Sequence, residues 1–299
     1  MKWPAKSIYA AQAYPFDGGK IGNKILLVAS KSDLAGMNIY DKLLGLDEWE
    51  DAGVFEESGV CKLRDFMLTT IAEHQLYRDG IDKSFREKTG IPVSCVVYLS
   101  KHRSESNMKS LTVHPIGNFG KAEFGGKEKT LVPSMPNLMT STLRALKKEA
   151  KAASLDYNVS FEATHHGPHL GTPTFYIEIG SSEPEWKDEK AATAITKALL
   201  GAPEEKYTVA IGVGGGHYAP RITDVALGNK IAFGHILPSY AVDGIDDSML
   251  EQCLEKTKNA KLAYLHRKAM KKPDIRRLEE WFEGHGIKVV REEELEKIG

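Results

Sequence analysis

Short apolar runs rich in valine, isoleucine and aromatic residues alternate with segments of helical periodicity, and this alternation constrains the fold more than any other feature. The apolar runs cover residues 7–12, 24–30, 93–100, 111–114, 159–163, 174–180, 207–214, 230–235, 262–266 and 287–290. Between them, residues 137–153 and 189–201 place apolar side chains on one helical face, and the second segment ends at Gly201 as at a helix C-cap. Strands that alternate with helices predict an α/β protein, with three layers around a mixed or mostly parallel sheet.

The chain shows no repeat of fixed period and no low-complexity linker, which predicts a single α/β catalytic unit over residues 1–299. Residues 115–136 are rich in proline and glycine and lack clear periodicity. Long structureless loops are uncommon in compact domains unless they are functional. This stretch is therefore a functional loop or smaller subdomain, or else a mobile surface excursion.

The net charge and the cysteines limit which partners the protein can bind and in which cellular compartment it is expected. Forty Lys and Arg residues offset forty-one Asp and Glu residues, and the net charge of −1 means that any site for a polyanion must be local. The three widely spaced cysteines form no C-x-x-C motif and favour a reducing compartment, so we expect a cytoplasmic protein. We find no export signal and no apolar run that could span a membrane, and we expect a monomer.

Histidines gather at the ends of the apolar runs. They are His102, His114, His165, His166, His217 and His235. Ligands of open α/β sheets bind beyond the carboxyl ends of the strands, and histidine is both the commonest metal ligand and a general base near neutral pH. We therefore expect a site at that edge, with His102, His165, His166, His217 and His235 as candidate metal ligands. Taken singly, each histidine is better explained as a hydrogen-bonded structural or surface residue, and it is their joint placement that favours a site.

The stretch FEATHHGPH contains Glu162 in an apolar run and a turn with adjacent histidines. His165 and His169 have the spacing of the zinc motif H-E-x-x-H, but the glycine and proline between them make a continuous helix improbable. Burial of Glu162 without a partner would be costly, so a metal, a histidine, a substrate amine or an ordinary buried arginine must accompany it. Glu162 and His165 are our candidate catalytic side chains.

The stretch IGVGGGHYAPR resembles a phosphate-binding loop only superficially. It departs from G-x-G-x-x-G at His217, and Pro220 breaks the helix that should follow, so dinucleotide binding is not expected. The chain also lacks the P-loop and G-x-S-x-G motifs. The unshielded backbone N–H groups of Gly214, Gly215 and Gly216 predict close approach to a ligand, as donors to an oxyanion.

Donor-rich segments suggest where an anionic substrate would be held. SKHRSES places His102 and Arg103 after a strand, in a loop suited to a phosphate or carboxylate, and Arg221 follows the glycine loop. Residues 256–277 hold nine Lys or Arg residues against one acidic residue, with Lys268, Lys271 and Lys272 as candidate contacts to the phosphates of a polyanionic substrate. A second basic run begins at Arg144. A solvated helix face would have a similar composition.

The blocks SKHRSES, LTVHPIGN, FEATHHGPH, GVGGGHYAPR and GHILPSYA, in this order between residues 100 and 241, resemble the archaeal and plant type of D-aminoacyl-tRNA deacylase. The resemblance implies an α/β fold like that of phosphorylases and zinc exopeptidases, and a hydrolase with a zinc requirement. It implies a substrate consisting of tRNA mischarged with a D-amino acid, cleaved at the ester to the terminal ribose. It gives no secure ligand list.

These observations favour metal-assisted ester hydrolysis, in which histidine-bound zinc would lower the pKa of a bound water toward about 7. Glu162 would be the general base or a ligand, and the glycine loop would stabilise the oxyanion. The number of zinc ions is open. The alternatives are a zinc-dependent exopeptidase or amidohydrolase acting on small D-amino-acid derivatives, and a nucleotide-binding protein without catalytic activity.

Overall fold

The computed structural model describes residues 24–298 except residues 106 and 204, so the strand predicted over residues 7–12 lies outside the described residues. The strands are β1 (Lys24–Ser30), β2 (Glu50–Phe55), β3 (Ser58–Leu63), β4 (Phe66–Ile71), β5 (Val93–Arg103), β6 (Ser110–Pro115), β7 (Gly117–Asn118), β8 (Thr130–Leu131), β9 (Asn158–Phe161), β10 (Thr174–Ser181), β11 (Thr208–Val213), β12 (Ile231–Leu237), β13 (Ala260–Leu265) and β14 (Lys288–Val290). The α-helices are α1 (Leu34–Leu46), α2 (Ile81–Thr89), α3 (Pro136–Ala152), α4 (Glu183–Trp186), α5 (Glu189–Gly201), α6 (Pro220–Gly228), α7 (Ser239–Val242), α8 (Asp247–Lys256) and α9 (Lys272–Gly284).

The larger sheet has eight strands in the order β2-β3-β4-β1-β5-β10-β6-β9. Its centre, from β4 to β10, is parallel, as expected for strands whose residues are buried on both faces. Strand β6 runs antiparallel to β10, and β9 runs parallel to β6, so these two strands point the opposite way to the centre. The fold class is therefore confirmed as α/β with a mixed sheet.

The second sheet has four parallel strands in the order β12-β11-β13-β14. Its residues share a buried apolar cluster with the larger sheet, since Phe233 and Ile236 of β12 pack with Leu143 of α3 and Phe161 of β9. The shared cluster joins the two sheets through one hydrophobic core, and burial of such side chains stabilises the fold by about 1.5–3 kcal/mol each.

The two faces of the larger sheet are covered by different elements. On one face, Ile25 and Leu27 of β1 pack in the same cluster as α1, α3 and α5. On the other face, Leu26 and Val28 pack with α2 and with Val132, which lies just beyond β8. This alternation along β1 gives the three layers that the sequence predicts. No helix within the described residues is long and apolar enough to cross a bilayer.

Residues 115–136 contain the short antiparallel pair β7 and β8 and otherwise lack regular structure. The segment is tied to the rest of the protein by the backbone: the Gly117 N–H donates to the His166 carbonyl, and the Gly167 N–H donates to the Phe124 carbonyl. The Asn118 amide donates to the carbonyls of Gly125 and Lys127 and closes the loop on itself. The loop is thus fastened to the turn that carries the paired histidines.

The sequence predicted the central strands and the long helices α3 and α5 closely. Helix α5 has Gly201 as its last residue, with Ala202 at the C-cap position. Strands β2, β3 and β4 were missed. Exposed residues dominate β2 and interrupt its apolar pattern, whereas β4 is fully buried and its apolar run was overlooked.

Candidate functional site

Three neighbouring strands present ionisable side chains on one face of the larger sheet. In the register of the sheet, Gly180 of β10 lies opposite His102 of β5, and Tyr176 of β10 lies opposite His114 of β6. Glu178 lies between these two positions and points to the same face, since side chains alternate along a strand. Its carboxylate Oε2 is 3.6 Å from His102 Nδ1 and 3.5 Å from His114 Nε2. Glu178 therefore bridges two histidines from the strands on either side.

The site lies on the sheet face, and the expectation of a site at the carboxyl edge is wrong. That expectation required all the histidine-bearing strands to run in the same direction. Strands β6 and β9 instead run opposite to β5 and β10, so their carboxyl ends lie at opposite edges. The histidines meet because neighbouring strands in register place them on one face.

Glu162 is the centre of the constellation. It follows β9 and is completely buried. Its Oε1 is 3.3 Å from His102 Nδ1, and its Oε2 is 3.2 Å from His217 Nε2 and 3.6 Å from His165 Nε2. His217 reaches it because the segment after the glycine loop pairs with the end of β9: the Ala163 N–H donates to the His217 carbonyl at 2.9 Å. Three histidines that are far from one another in the sequence thus surround one carboxylate.

A second group of imidazoles consists of His114, His165 and His166. Each of the three Nδ1 atoms lies 2.7–3.1 Å from a backbone carbonyl, to which it donates in the neutral tautomer. This tautomer leaves Nε2 with an available lone pair. One ring nitrogen from each of the three residues lies within 4.8 Å of the others. The arrangement matches metal-binding histidines, whose second nitrogen is oriented by a hydrogen bond.

The charges of this network depend on each other. Burial would lower the pKa of His102, but Glu178 and Glu162 outweigh it and raise the pKa to about 9. Burial likewise opposes the charge of His114, whose pKa the same two carboxylates raise. Burial would raise the pKa of Glu178, but His102 and His114 hold it well below its usual range. The carboxylates are therefore ionised at neutral pH, and they favour the protonated form of both strand histidines.

The turn histidines behave in the opposite way. Burial and the neighbouring imidazoles lower the pKa of His165 well below its usual value, and burial foremost lowers the pKa of His166 to about 4. Both are neutral at pH 7 and available as ligands. Both carboxylate oxygens of Glu162, as well as Nε2 of His102 and of His114, are buried without a hydrogen-bond partner among the described residues. Such unpaired polar atoms favour a bound cation or a polar substrate group.

His235 is not part of this constellation, which corrects its assignment as a metal ligand. The ring is fully buried, Nε2 donates to the Val132 carbonyl at 2.9 Å, and Nδ1 lies 3.0 Å from the Thr164 hydroxyl. Thr164 in turn accepts from the Ile236 N–H. Since both nitrogens are already bonded to the protein, His235 links β12 to the residue that precedes the histidine turn.

His235 should make stability depend on pH. Burial lowers its pKa from 6.5 to about 4, so the unfolded chain binds more protons between these values. The contribution of neutral His235 to the free energy of unfolding is fully present above pH 6.5. As the pH falls toward 4, the free energy of unfolding decreases by up to about 3 kcal/mol. We expect His235→Asn to be less stable than the wild type at pH 7 and to show a flatter decline, with the two free energies of unfolding converging near pH 4. Parallel pH dependences would contradict this expectation.

The glycine loop makes closer contacts with the protein than the sequence indicated. The Gly214 N–H donates to the Leu237 carbonyl at 2.8 Å, and the Gly215 N–H donates to the Ser239 hydroxyl at 2.9 Å. The oxyanion role predicted for these two groups is therefore wrong, because their donors are occupied. Gly216 is exposed and stays a candidate donor beside His217.

The predicted substrate-binding cations lie on two sides of the site. Arg103 is exposed at the end of β5, whereas Arg221 is engaged by Glu292 and by the Tyr264 hydroxyl at 3.2 Å. Arg144 is also engaged: it donates to the carbonyls of Ala226, Asn229 and Ile231 and pairs with Glu205. Arg144 therefore stabilises the end of α6 and does not fit the role of a phosphate contact.

The middle of the basic segment, residues 256–277, contacts the glycine loop at His266. His266, at the end of β13, packs against Gly214, and burial followed by the charges of Arg221 and Lys268 lowers the pKa of His266. Lys268 and Lys272 are exposed, and Lys271 pairs with Asp243 at 2.9 Å on the surface. The role of these lysines as phosphate contacts stays a prediction.

Sequence reasoning missed His114 and Glu178 as site residues. The signal for Glu178 was the same as for Glu162, a carboxylate within an apolar strand, in TFYIEIG. The sequence shows His114 only as a histidine at the end of an apolar run, and its role becomes evident once β10 is known to lie between β5 and β6.

Comparison with known proteins shows the family of this chain. Residues 89–290 match the family model of D-aminoacyl-tRNA deacylase. The D-aminoacyl-tRNA deacylase of Methanosarcina acetivorans is 41% identical over 93% of this chain and 95% of its own length, and that of Thermococcus kodakarensis is 37% identical over 78% and 86%. A crystal structure of a conserved protein of unknown function superposes with a TM-score of 0.85 at 32% identity, covering 92% of this chain and 98% of that one. The chain belongs to the D-aminoacyl-tRNA deacylase family of enzymes.

Proposed function

We propose that this enzyme hydrolyses the ester of tRNA charged with a D-amino acid, releasing the free amino acid and tRNA as a quality-control step for translation. The observation that carries the proposal is the buried carboxylate of Glu162, surrounded by His102, His165 and His217 within 3.6 Å. The family supplies the substrate class. The constellation supplies groups for proton transfer, and one of them can be reached by a substrate because the His217 side chain is 40% exposed.

The residues fit a zinc ion. His114, His165 and His166 would hold it, because their Nδ1 atoms are oriented by backbone carbonyls and their remaining nitrogens converge. His114 would have to release the proton that Glu178 and Glu162 favour, since only a neutral imidazole binds a metal. His102, Glu162 and His217 form a second set of donors with the same spacing. Bound zinc would supply Lewis-acid chemistry, lowering the pKa of water and polarising the ester carbonyl.

Glu162 and His217 are suited to move the proton. The 3.2 Å contact between His217 Nε2 and Glu162 Oε2 is not an aligned hydrogen bond in the free enzyme. When substrate binding aligns it, the Nε2–H of His217 hydrogen-bonds to Glu162, and Nδ1 is left to accept a proton from the attacking water. The carboxylate then stabilises the imidazolium, which returns the proton to the departing ribose oxygen. The burial of Glu162 keeps this interaction in a medium of low dielectric constant, where it is stronger than in water.

The test compares D-tyrosyl-tRNA with L-tyrosyl-tRNA, each with and without a chelator. We expect rapid loss of the D-ester alone, a fall of at least about a hundredfold after chelation, and recovery on adding zinc. Activity that persists in a preparation shown to be free of metal would exclude the zinc assignment and leave the ester hydrolysis intact. No turnover of either ester by the metal-replete protein would overturn the proposed function itself.

A further inference from the structure

Two large aromatic side chains are exposed beside the histidine turn. Tyr77 is 63% exposed, at the end of the 3₁₀ turn Gln75–Tyr77, and Phe124 is 60% exposed, in the loop between β7 and β8. Single exposed apolar side chains are ordinary on protein surfaces, so what matters for these two rings is their position beside the histidine turn. The contacts of Gly125, which follows Phe124, show that the two segments carrying these rings are in contact.

Gly125 joins the two aromatic residues. A Cβ atom at Gly125 would lie 1.8 Å from the Leu76 carbonyl oxygen and 3.4 Å from Cδ1 of the Tyr77 ring. Gly125 also has φ of +75°, a conformation that glycine adopts without strain. The backbone of Gly125, which follows Phe124, is therefore packed directly on the backbone of Leu76, which precedes Tyr77. We call Tyr77 and Phe124 the aromatic platform.

The platform is fixed relative to the site. The Phe124 carbonyl accepts from the Gly167 N–H at 3.0 Å, and the Gly125 carbonyl accepts from the Asn118 amide at 3.0 Å. Gly167 directly follows His166, whose imidazole belongs to the group formed with His114 and His165. The platform is thus joined by backbone hydrogen bonds to the turn that carries His165 and His166, although its rings are in solvent.

We propose that Tyr77 and Phe124 stack on the bases of the unpaired 3′ end of the charged tRNA and position its terminal ribose ester at the site. This inference rests on the proposed function. The ester is attached to the last nucleotide, so the preceding unpaired nucleotides must leave the site over the adjoining surface. Proteins bind single-stranded nucleic acid by stacking bases on aromatic rings, with cations along the backbone. Lys121 and Lys127, both exposed in the same loop, supply such cations.

The experiment measures kcat and KM for D-tyrosyl-tRNA in the wild type, Phe124→Ala, Tyr77→Ala and three further variants. Phe124→Trp keeps an aromatic face, Phe124→Leu keeps apolar bulk without one, and Val54→Ala removes an equally exposed apolar side chain from β2. We expect each alanine variant of the platform to raise KM about tenfold with little change in kcat, as for the loss of one stacked base. Phe124→Trp should stay close to the wild type, Phe124→Leu should resemble Phe124→Ala, and Val54→Ala should have no effect.

A binding readout separates stacking from catalysis. The indole fluorescence of Phe124→Trp should be quenched by the trinucleotide CCA, measured as the difference from the wild type under the same conditions. An active wild type with Phe124→Ala unchanged would overturn the platform, as would rescue by leucine equal to that by tryptophan or the absence of quenching. A wild type that hydrolyses neither ester would instead overturn the proposed function, so the two failures are distinguishable.

Discussion

Replacing Glu162 by glutamine should lower kcat/KM for D-aminoacyl-tRNA by about a thousandfold, the middle of the range for loss of a general acid–base system. Glutamine has almost the same shape, so the packing of the site is kept. What is lost is the negative charge that lies 3.2 Å from His217 and 3.3 Å from His102. Without it, His217 is no longer held in the tautomer that presents Nδ1, and the imidazolium formed during proton transfer is not stabilised.

The control for this variant is Glu185→Gln. Glu185 is also a buried glutamate, but its carboxylate accepts from the Ser182 hydroxyl at 2.6 Å and lies outside the histidine constellation. We expect it to retain activity within about threefold of the wild type. Circular dichroism and thermal unfolding would verify that both variants are folded. Hydrolysis by Glu162→Gln within tenfold of the wild type would show that this carboxylate does not take part in proton transfer.

The sequence was most informative where a residue conflicted with its local pattern. Glu162 stood out because a carboxylate in an apolar run needs a partner, and the structure supplies three histidines. The strands that carry the site were also predictable, since β5, β6, β9 and β10 are short apolar runs with clear boundaries. These features depend on a few neighbouring residues, which is why they can be read from one sequence.

The pairing of the site residues could not be read in the same way. Strand β10 lies between β5 and β6, although β6 follows β5 directly in the chain. This insertion places Glu178 between His102 and His114 and reverses the expected direction of two strands. Strand order and direction follow from packing of the whole sheet, so they cannot be predicted from the local periodicity of the sequence. His235 shows the same limit, because its strand position resembled that of the site histidines and only its partners reveal a structural role.

The glycines also had to be interpreted through contacts distant in sequence. The three consecutive glycines suggest an oxyanion hole, yet two of their N–H groups bond within the protein. In the sequence, Gly167 indicates only that a helix cannot continue there. In the structure, it is one of the most tightly packed positions near the site. A Cβ atom there would lie 2.2 Å from the Gly126 nitrogen and 2.5 Å from the Gly125 carbonyl carbon.

Gly167→Ala is therefore expected to lower activity toward D-aminoacyl-tRNA by about a hundredfold or more. The atoms in the way belong to the backbone, so neither can move without shifting the loop or the turn. The turn carries His165 and His166, and a displacement of about 1 Å in a catalytic arrangement costs about a hundredfold in rate. Overpacking should also destabilise the protein by about 1–3 kcal/mol. If the turn histidines hold zinc, the zinc content per molecule should fall together with activity.

Gly120→Ala is the matched control, because Gly120 lies in the same loop but a Cβ atom there would have no neighbour within 4 Å among the described residues. It should keep activity, zinc content and stability close to those of the wild type. Measuring all three quantities for both variants separates a displaced turn from a general loss of folding, since Gly167→Ala should remain folded at low temperature while it loses metal and activity. Wild-type activity in Gly167→Ala would mean that the loop yields to the added methyl group, and that the backbone contacts of residues 125–126 do not hold the histidine turn in place.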